Sequence, residues 1–230
     1  MKKVVGTRAV KDAINRFKNV INIKICKDNL NNKNIRDIVD FANKKRIRVE
    51  WVSSLPYKVE AYFEHREKEV GEILEELVLK EKCLIIALDH VQDVGNLGSL
   101  IRSAESFGVK YIFISKGASV KLNDQAINIS AGASLSVDVV EVNLGQLLER
   151  LKKIGFWIYG ADLEGSVDFM KIDYAPLSCL ILGSEEKGMK RLTREKCDQL
   201  IKIPMVGLSN SLNVAVSGGI ILAKMMRVLC

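Results

Sequence analysis

A chain of 230 residues with 48% hydrophobic and 27% charged residues has the composition of a folded globular protein, which excludes an intrinsically disordered chain. No apolar run approaches the roughly 18–20 residues needed to span a bilayer, and nothing behind Met1-Lys2-Lys3 reads as a signal segment, so a cytoplasmic protein is expected. Five widely spaced cysteines (Cys26, Cys83, Cys179, Cys197 and Cys230), no CxxC pair and only two histidines argue against a metal site; the cysteines read as reduced thiols, mostly in the core.

The net charge of +7 is unevenly spread. Residues 1–58 hold 15 Lys or Arg against 5 Asp or Glu, residues 59–81 hold 3 against 8, and residues 82–230 hold 17 against 15. A basic module beside a near-neutral one points to docking on a polyanion by the first; a lysine-rich solvated surface is the plain alternative. Within the basic module, Ala9, Val10, Ala13, Ile14 and Phe17 recur at helical spacing, and residues 20–25 alternate as a strand. The Asn-rich residues 29–34 make a loop, 35–45 fit a helix and 49–52 a second strand. The acidic stretch 59–80, ending in Ile73-Leu74-Glu75-Glu76-Leu77-Val78-Leu79, reads as a connecting helix. The expected division is a small α/β domain with its linker at 1–75 and a larger domain at 76–230.

From Cys83 onward, apolar strands at 84–88, 111–115, 137–142, 157–160, 178–182 and 200–203 alternate with helical stretches at 99–107, 144–154 and 213–226. This pattern implies an α/β domain whose mainly parallel sheet is covered on both faces. Ligands collect at the carboxyl ends of such strands, and three of these ends depart from what core packing requires. The first, Asp93-Val94-Gly95-Asn96-Leu97-Gly98, turns into a helix with Arg102 one turn inside; a plain glycine turn explains as much, and the GxGxxG spacing of a dinucleotide site is missing. The second, Gly183-Ser184-Glu185-Glu186-Lys187-Gly188, has glycines that let backbone groups approach a flat ligand such as adenine, with a solvated strand-to-helix turn as the bland alternative. The third runs from Ile203-Pro204-Met205 through Ser209-Asn210-Ser211-Leu212-Asn213 into a small-residue helix. An N-cap role for Ser211 or Asn213 accounts for one of its polar residues but not for four.

Taken together, N-x-G-x-x-x-R at 96–102, G-x-E-x-x-G at 183–188, and I-P-M-x-G at 203–207 followed by S-L-N-V at 211–214 resemble the three motifs of the SpoU (TrmH-type) family. That family belongs to the SPOUT superfamily of RNA methyltransferases, and the similarity extends over about residues 83–227. The runs Met189-Lys190-Arg191-Leu192-Thr193-Arg194-Glu195 and Gly6-Thr7-Arg8-Ala9-Val10 resemble in particular the bacterial enzymes that methylate a guanosine ribose in large-subunit ribosomal RNA. The resemblance implies a trefoil-knotted methyltransferase domain at 76–230 and a ribosomal-protein-like RNA-binding domain at 1–75. It also implies S-adenosylmethionine as cofactor, no metal, an RNA substrate rather than DNA or membrane, and a homodimer whose sites draw on both subunits.

By the same resemblance, Gly183, Ile203, Met205 and Leu212 hold the cofactor, largely through backbone groups. Asn96, Arg102, Glu185, Ser211 and Asn213 surround the reacting ribose, with Arg102 at the 2′-hydroxyl. A guanidinium stays protonated at neutral pH, so Arg102 suits orientation and stabilisation of developing alkoxide better than general-base work. The end of the basic domain departs from these relatives: His65-Arg66-Glu67-Lys68-Glu69-Val70 replaces a glycine- and His-Gln-containing segment. Two alternatives stay open: a transfer-RNA methyltransferase of the same family, and a non-catalytic RNA-binding assembly factor.

Overall fold

The computed structural model describes residues 1–29, 32–66, 68–165, 167–208 and 211–228. Part of the expected Asn-rich loop (Leu30, Asn31), Glu67 of the divergent segment, Ser209 and Asn210 of the third motif, and Cys230 lie outside the described residues.

The basic module is a four-stranded sheet with two helices. Its elements are β1 (Lys2–Val5), α1 (Thr7–Arg16), β2 (Val20–Cys26), α2 (Lys33–Lys45), β3 (Arg48–Val52) and β4 (Val59–Phe63), with sheet order β1-β4-β2-β3. Helix α1 buries Ala9, Val10, Ala13 and Ile14, the stripe its periodicity implies. Asn32 caps α2 by accepting the Asn34 N–H, and α2 buries Ile35, Ile38 and Ala42. These residues share one core with Ile23, Ile25, Val59, Ala61 and Phe63 of the sheet.

The stretch expected to be one connecting helix is instead the strand β4 followed by α3 (Val70–Val78). Val59, Ala61 and Phe63 alternate with Glu60 and Tyr62, a period of two that pairs antiparallel with both β1 and β2. Glu60 is buried, and it accepts the Tyr62 hydroxyl at 2.7 Å with Lys3 Nζ 3.9 Å away. Burial, then the Glu60 carboxylate, pushes the Tyr62 phenol up to about 12. Helix α3 opens with a capping box between Glu69 and Glu72. Its buried face, Ile73, Leu74 and Leu77, packs on the larger sheet.

That sheet comprises β5 (Cys83–Asp89), β6 (Tyr111–Ser115), β7 (Asp138–Val142), β8 (Trp157–Ala161), β9 (Val167–Asp168), β10 (Leu177–Gly183) and β11 (Gln199–Lys202). Its order is β7-β6-β5-β10-β8-β11-β9, and every neighbouring pair is parallel. The helices are α4 (Val94–Ser106), α5 (Asp124–Ile129), α6 (Leu144–Lys153), α7 (Arg191–Glu195) and α8 (Val214–Met225). Strand β5 shows why its sequence is apolar throughout. Leu84, Ile86 and Leu88 face the core under α4 and α8, while Ile85 and Ala87 face the core under α3 and α6. Cys83, Cys179 and Cys197 are free thiols at this second core. Burial pushes Cys83 up to about 11 and Cys197 up to about 12, so both stay protonated and unreactive at neutral pH.

The two sheets are joined by more than chain continuity. Ile127 and Leu135 of the larger domain pack on the core of the smaller one, and the Cα of Gly132 faces Ala13. Around this contact, Lys2 pairs with Asp138 at 2.9 Å, Lys3 with Asp124 at 2.6 Å and Arg16 with Glu105 at 2.7 Å.

Gly98 of the first motif lies where α4 crosses α5. A Cβ there would stand 2.7 Å from the Ile129 Cβ and 2.9 Å from the Ala126 carbonyl oxygen. Alanine gains about 1 kcal/mol of helix propensity but forces backbone apart, an overpacking cost of about 1–3 kcal/mol or more. The Gly98→Ala variant is therefore expected to be less stable, with a lower denaturant midpoint and an unchanged m-value.

Candidate active site at the strand ends

Strands β8, β10 and β11 deliver their carboxyl ends to one pocket of about 330 Å³, within the roughly 300–1,000 Å³ typical of small-ligand sites. Its walls are the 183–189 loop, the 162–164 loop after β8, Ile203, Met205, Ser211 and Leu212, and Val214, Ser217 and Ile221 of α8.

The 183–189 loop owes its shape to its two glycines. Ser184 and Gly188 exchange backbone hydrogen bonds at 3.0 and 2.9 Å, which folds the loop back over Gly183. A Cβ on Gly183 would stand 2.2 Å from the Gly188 carbonyl carbon and 2.3 Å from the Met189 nitrogen, so no larger residue fits. Gly188 sits at φ +65°, a conformation that L side chains rarely adopt. The far end of the loop is pinned by Asp89, only 1% exposed, whose Oδ2 accepts the Lys190 N–H at 2.8 Å while its Oδ1 lies 2.5 Å from His90 Nδ1.

A chain of side-chain hydrogen bonds ties the three motifs together. Asp93 caps α4 by accepting the Asn96 N–H at 2.7 Å. The Asn96 amide, 8% exposed, donates to Glu185 Oε1 and accepts from Asn213 Nδ2 at 2.8 Å. The Asn213 Oδ1 in turn accepts the N–H groups of Ala215 and Val216 at 2.9 and 3.3 Å, capping α8. Asn213 thus fills the N-cap role that left the remaining polar residues of the third motif unexplained.

Of the sequence-derived site residues, Gly183, Glu185, Ile203, Met205, Ser211 and Leu212 line the pocket. Asn96 and Asn213 stand behind Glu185 through the hydrogen-bond chain. Arg102 does not reach this pocket within the chain: it is exposed on α4 and lines a second cleft, between α1 and α4. Sequence reasoning passed over the loop of Asp162, Leu163 and Glu164, which lines the pocket, and Asp89. The rule that led to the other loops applied equally to the end of β8.

The SpoU rRNA Methylase family matches residues 83–223. The chain belongs to that family. It is an S-adenosylmethionine-dependent RNA methyltransferase. A protein of Staphylococcus saprophyticus named as a TrmH family tRNA/rRNA methyltransferase is 33% identical over 237 residues, 97% of this chain and 94% of that protein. The 23S rRNA (guanosine-2'-O-)-methyltransferase RlmB of Neisseria meningitidis is 38% identical over 150 residues, 65% of this chain and 60% of the relative. The SpoU methyltransferase AviRb of Streptomyces viridochromogenes shares the fold, with a TM-score of 0.77 over 98% of this chain and 89% of that one at 23% identity.

Asn213→Ala removes the cap of α8, at about 0.5–2 kcal/mol, and leaves the Asn96 oxygen without its donor, at about 1–3 kcal/mol. Asn213→Ser keeps the cap alone and is expected to fall between Asn213→Ala and the parent in denaturant midpoint.

Proposed function

We propose that this protein methylates the ribose 2′-hydroxyl of a guanosine in large-subunit ribosomal RNA. The observation that carries this reading is the Glu185–Asn96–Asn213 chain, which brings all three motifs to one pocket. The relatives named as 23S rRNA guanosine methyltransferases, 38% and 42% identical over about two thirds of this chain, supply the substrate class.

The pocket suits S-adenosylmethionine. Leu182, Ile203, Met205, Leu212 and Ile221 give it apolar walls for an adenine ring, beside the 183–188 loop that Gly183 lets close on its own backbone. Glu185 brings a carboxylate to its wall, while those of Asp162 and Glu164 are paired to Arg194, which also lines it, at 3.5 and 3.2 Å. When bound, the cofactor supplies an electrophilic methyl group on a sulfonium leaving group. The protein's task is then to hold the 2′-hydroxyl in line and stabilise its developing charge, and positioning of this kind is worth roughly 7–11 kcal/mol. Gly183, Ile203, Met205 and Leu212 hold the cofactor; Asn96, Glu185, Ser211 and Asn213 shape the ribose side. Arg102 orients the hydroxyl and stabilises the alkoxide, and the proton passes to a phosphate or water, since a guanidinium stays protonated.

This reading requires a homodimer in which Arg102 of one protomer faces the pocket of the other. Supporting it are the exposed apolar side chains of Val216 and Ile220 on α8 and of Val206 and Leu208 before it. Helix α8 also packs on α4, which carries Arg102, with Gly218 against Leu100. The knot is supported by the place of β10 between β5 and β8 and by Ser211, Leu212, Val214 and Ser217 lining one pocket with the 183–189 loop. The division into a ribosomal-protein-like RNA-binding part with its linker at 1–75 and a methyltransferase part at 76–230 rests on the charge distribution, and a cytoplasmic location on the absence of a membrane-spanning helix among the described residues.

A second reading, transfer RNA as substrate, is favoured by the full-length relative named for both RNA classes. Mass spectrometry of ribosomal and transfer RNA treated with the purified protein decides between them: a new 2′-O-methylguanosine in ribosomal RNA supports the first, and no methylation of either overturns both. Arg102→Ala is expected to lower the single-turnover rate by about 10²–10³ while calorimetric affinity for S-adenosylmethionine stays at the parent value. A parental rate would remove Arg102 from the site.

A further inference from the structure

The cleft between α1 and α4 has a volume of about 390 Å³ and holds two guanidinium groups and two carboxylates, from Asp12, Arg16, Arg102 and Glu105. The charges are not evenly paired. Arg16, in the last turn of α1, donates to Glu105 at 2.7 Å across the two domains. The Arg102 guanidinium has no hydrogen bond or ion pair among the described residues, while its backbone carbonyl accepts the Ser106 hydroxyl. Yet Glu105 stands three residues after Arg102 on the same helix, the spacing at which opposite charges pair on a helix surface. The Glu105 side chain is 19% exposed, so its carboxylate needs a cation, and Arg102 is the other one lining the cleft.

We propose that Arg16 is a positioning residue for methyl transfer: by holding Glu105 it keeps Arg102 unpaired and available to the target ribose. The proposal rests on the assignment of Arg102 to the 2′-hydroxyl. A guanidinium forked onto a carboxylate has committed two of its five donors and its orientation, and the carboxylate opposes the field that would stabilise an alkoxide. Seating of the basic domain then frees the reacting group, because the partner that removes Glu105 comes from α1. The effect falls on the chemical step. Arg16 is 54% exposed, and the cofactor pocket is lined by other residues, so neither the core nor cofactor binding depends on it.

The test uses the full-length protein with tritiated S-adenosylmethionine and bulk large-subunit ribosomal RNA. It compares Arg16→Ala, Arg16→Lys, Arg16→Ala with Glu105→Gln, and Arg102→Ala. An exposed helix pair of up to about 1 kcal/mol sequesters Arg102 about fivefold, so Arg16→Ala should lower kcat about fivefold with KM for RNA little changed. Arg16→Lys should retain most of kcat, and adding Glu105→Gln to Arg16→Ala should restore most of it by removing the competing carboxylate. A raised KM with parental kcat would make Arg16 an RNA contact and overturn the proposal. A loss of kcat that Glu105→Gln fails to restore would do the same, leaving Arg16 as a structural link. Should Arg16→Ala lower the unfolding midpoint, Arg16→Gln replaces it in the same comparison. If Arg102→Ala is as active as the parent, the assignment of Arg102 fails and the proposal with it. If Arg102→Ala is inactive and rescue fails, only the positioning role falls.

Discussion

The side-chain amide of Asn96 is buried, and a buried amide must find partners for both its donor and its acceptor. Here the donor meets Glu185 and the acceptor meets Asn213, so a single residue at the mouth of α4 sets the distance between two loops more than 80 residues away in the chain. Each unmet group would cost about 1–3 kcal/mol, comparable to a large share of a domain's net stability. The three loops therefore fold as one object. The glycines around them, Gly98, Gly183 and Gly218, act in the same direction by letting backbone and helix approach closer than any side chain permits.

The contact between the two sheets follows a different balance. Its ion pairs are partly exposed, and pairs of that kind contribute about 0–1 kcal/mol each. Adhesion must come from the apolar contact of Ile127 and Leu135 with the smaller domain's core, while the charges select one orientation. The cost is that Lys2, Lys3 and the half-exposed Arg16 are committed to carboxylates of the larger domain. Exposed cations left for a polyanion include Arg8, Lys18 and Lys27 as well as Lys44, Lys45 and Arg48 on α2 and β3.

Six strands of the larger sheet were legible as apolar runs bounded by polar turns, while β9, two residues long, shows no pattern to read. Strands β1 and β4 were not legible either. Lys2 to Val5 is too short to show a period, and the acidic residues between 59 and 80 masked the alternation of Val59, Ala61 and Phe63. Both strands exist because they pair with each other across nearly 60 residues, which no local pattern records. At the site, the residues that line the pocket sit on loops whose glycines and polar clusters are visible in the sequence. Arg102 shows the limit: motif spacing places it on α4 but does not say which cleft its side chain faces, a matter of helix phase and of a second subunit. Asp89 was hidden for another reason, since it is the last residue of an apolar strand and looks like a turn residue until Lys190 comes to lie over it.

The position of β10 in the middle of the sheet has a consequence for how the chain reaches this state. Its registers join Asp89 to Gly183 and Tyr159 to Leu180, so β5 and β8 can complete their pairing only after residue 183 has been made. At about 5–20 residues per second of synthesis, β5 waits roughly 5–20 s on the ribosome with one edge open. Such an edge is a template for pairing with other chains. Nascent-chain aggregation, more than instability of the finished protein, is where truncations before β10 should be felt.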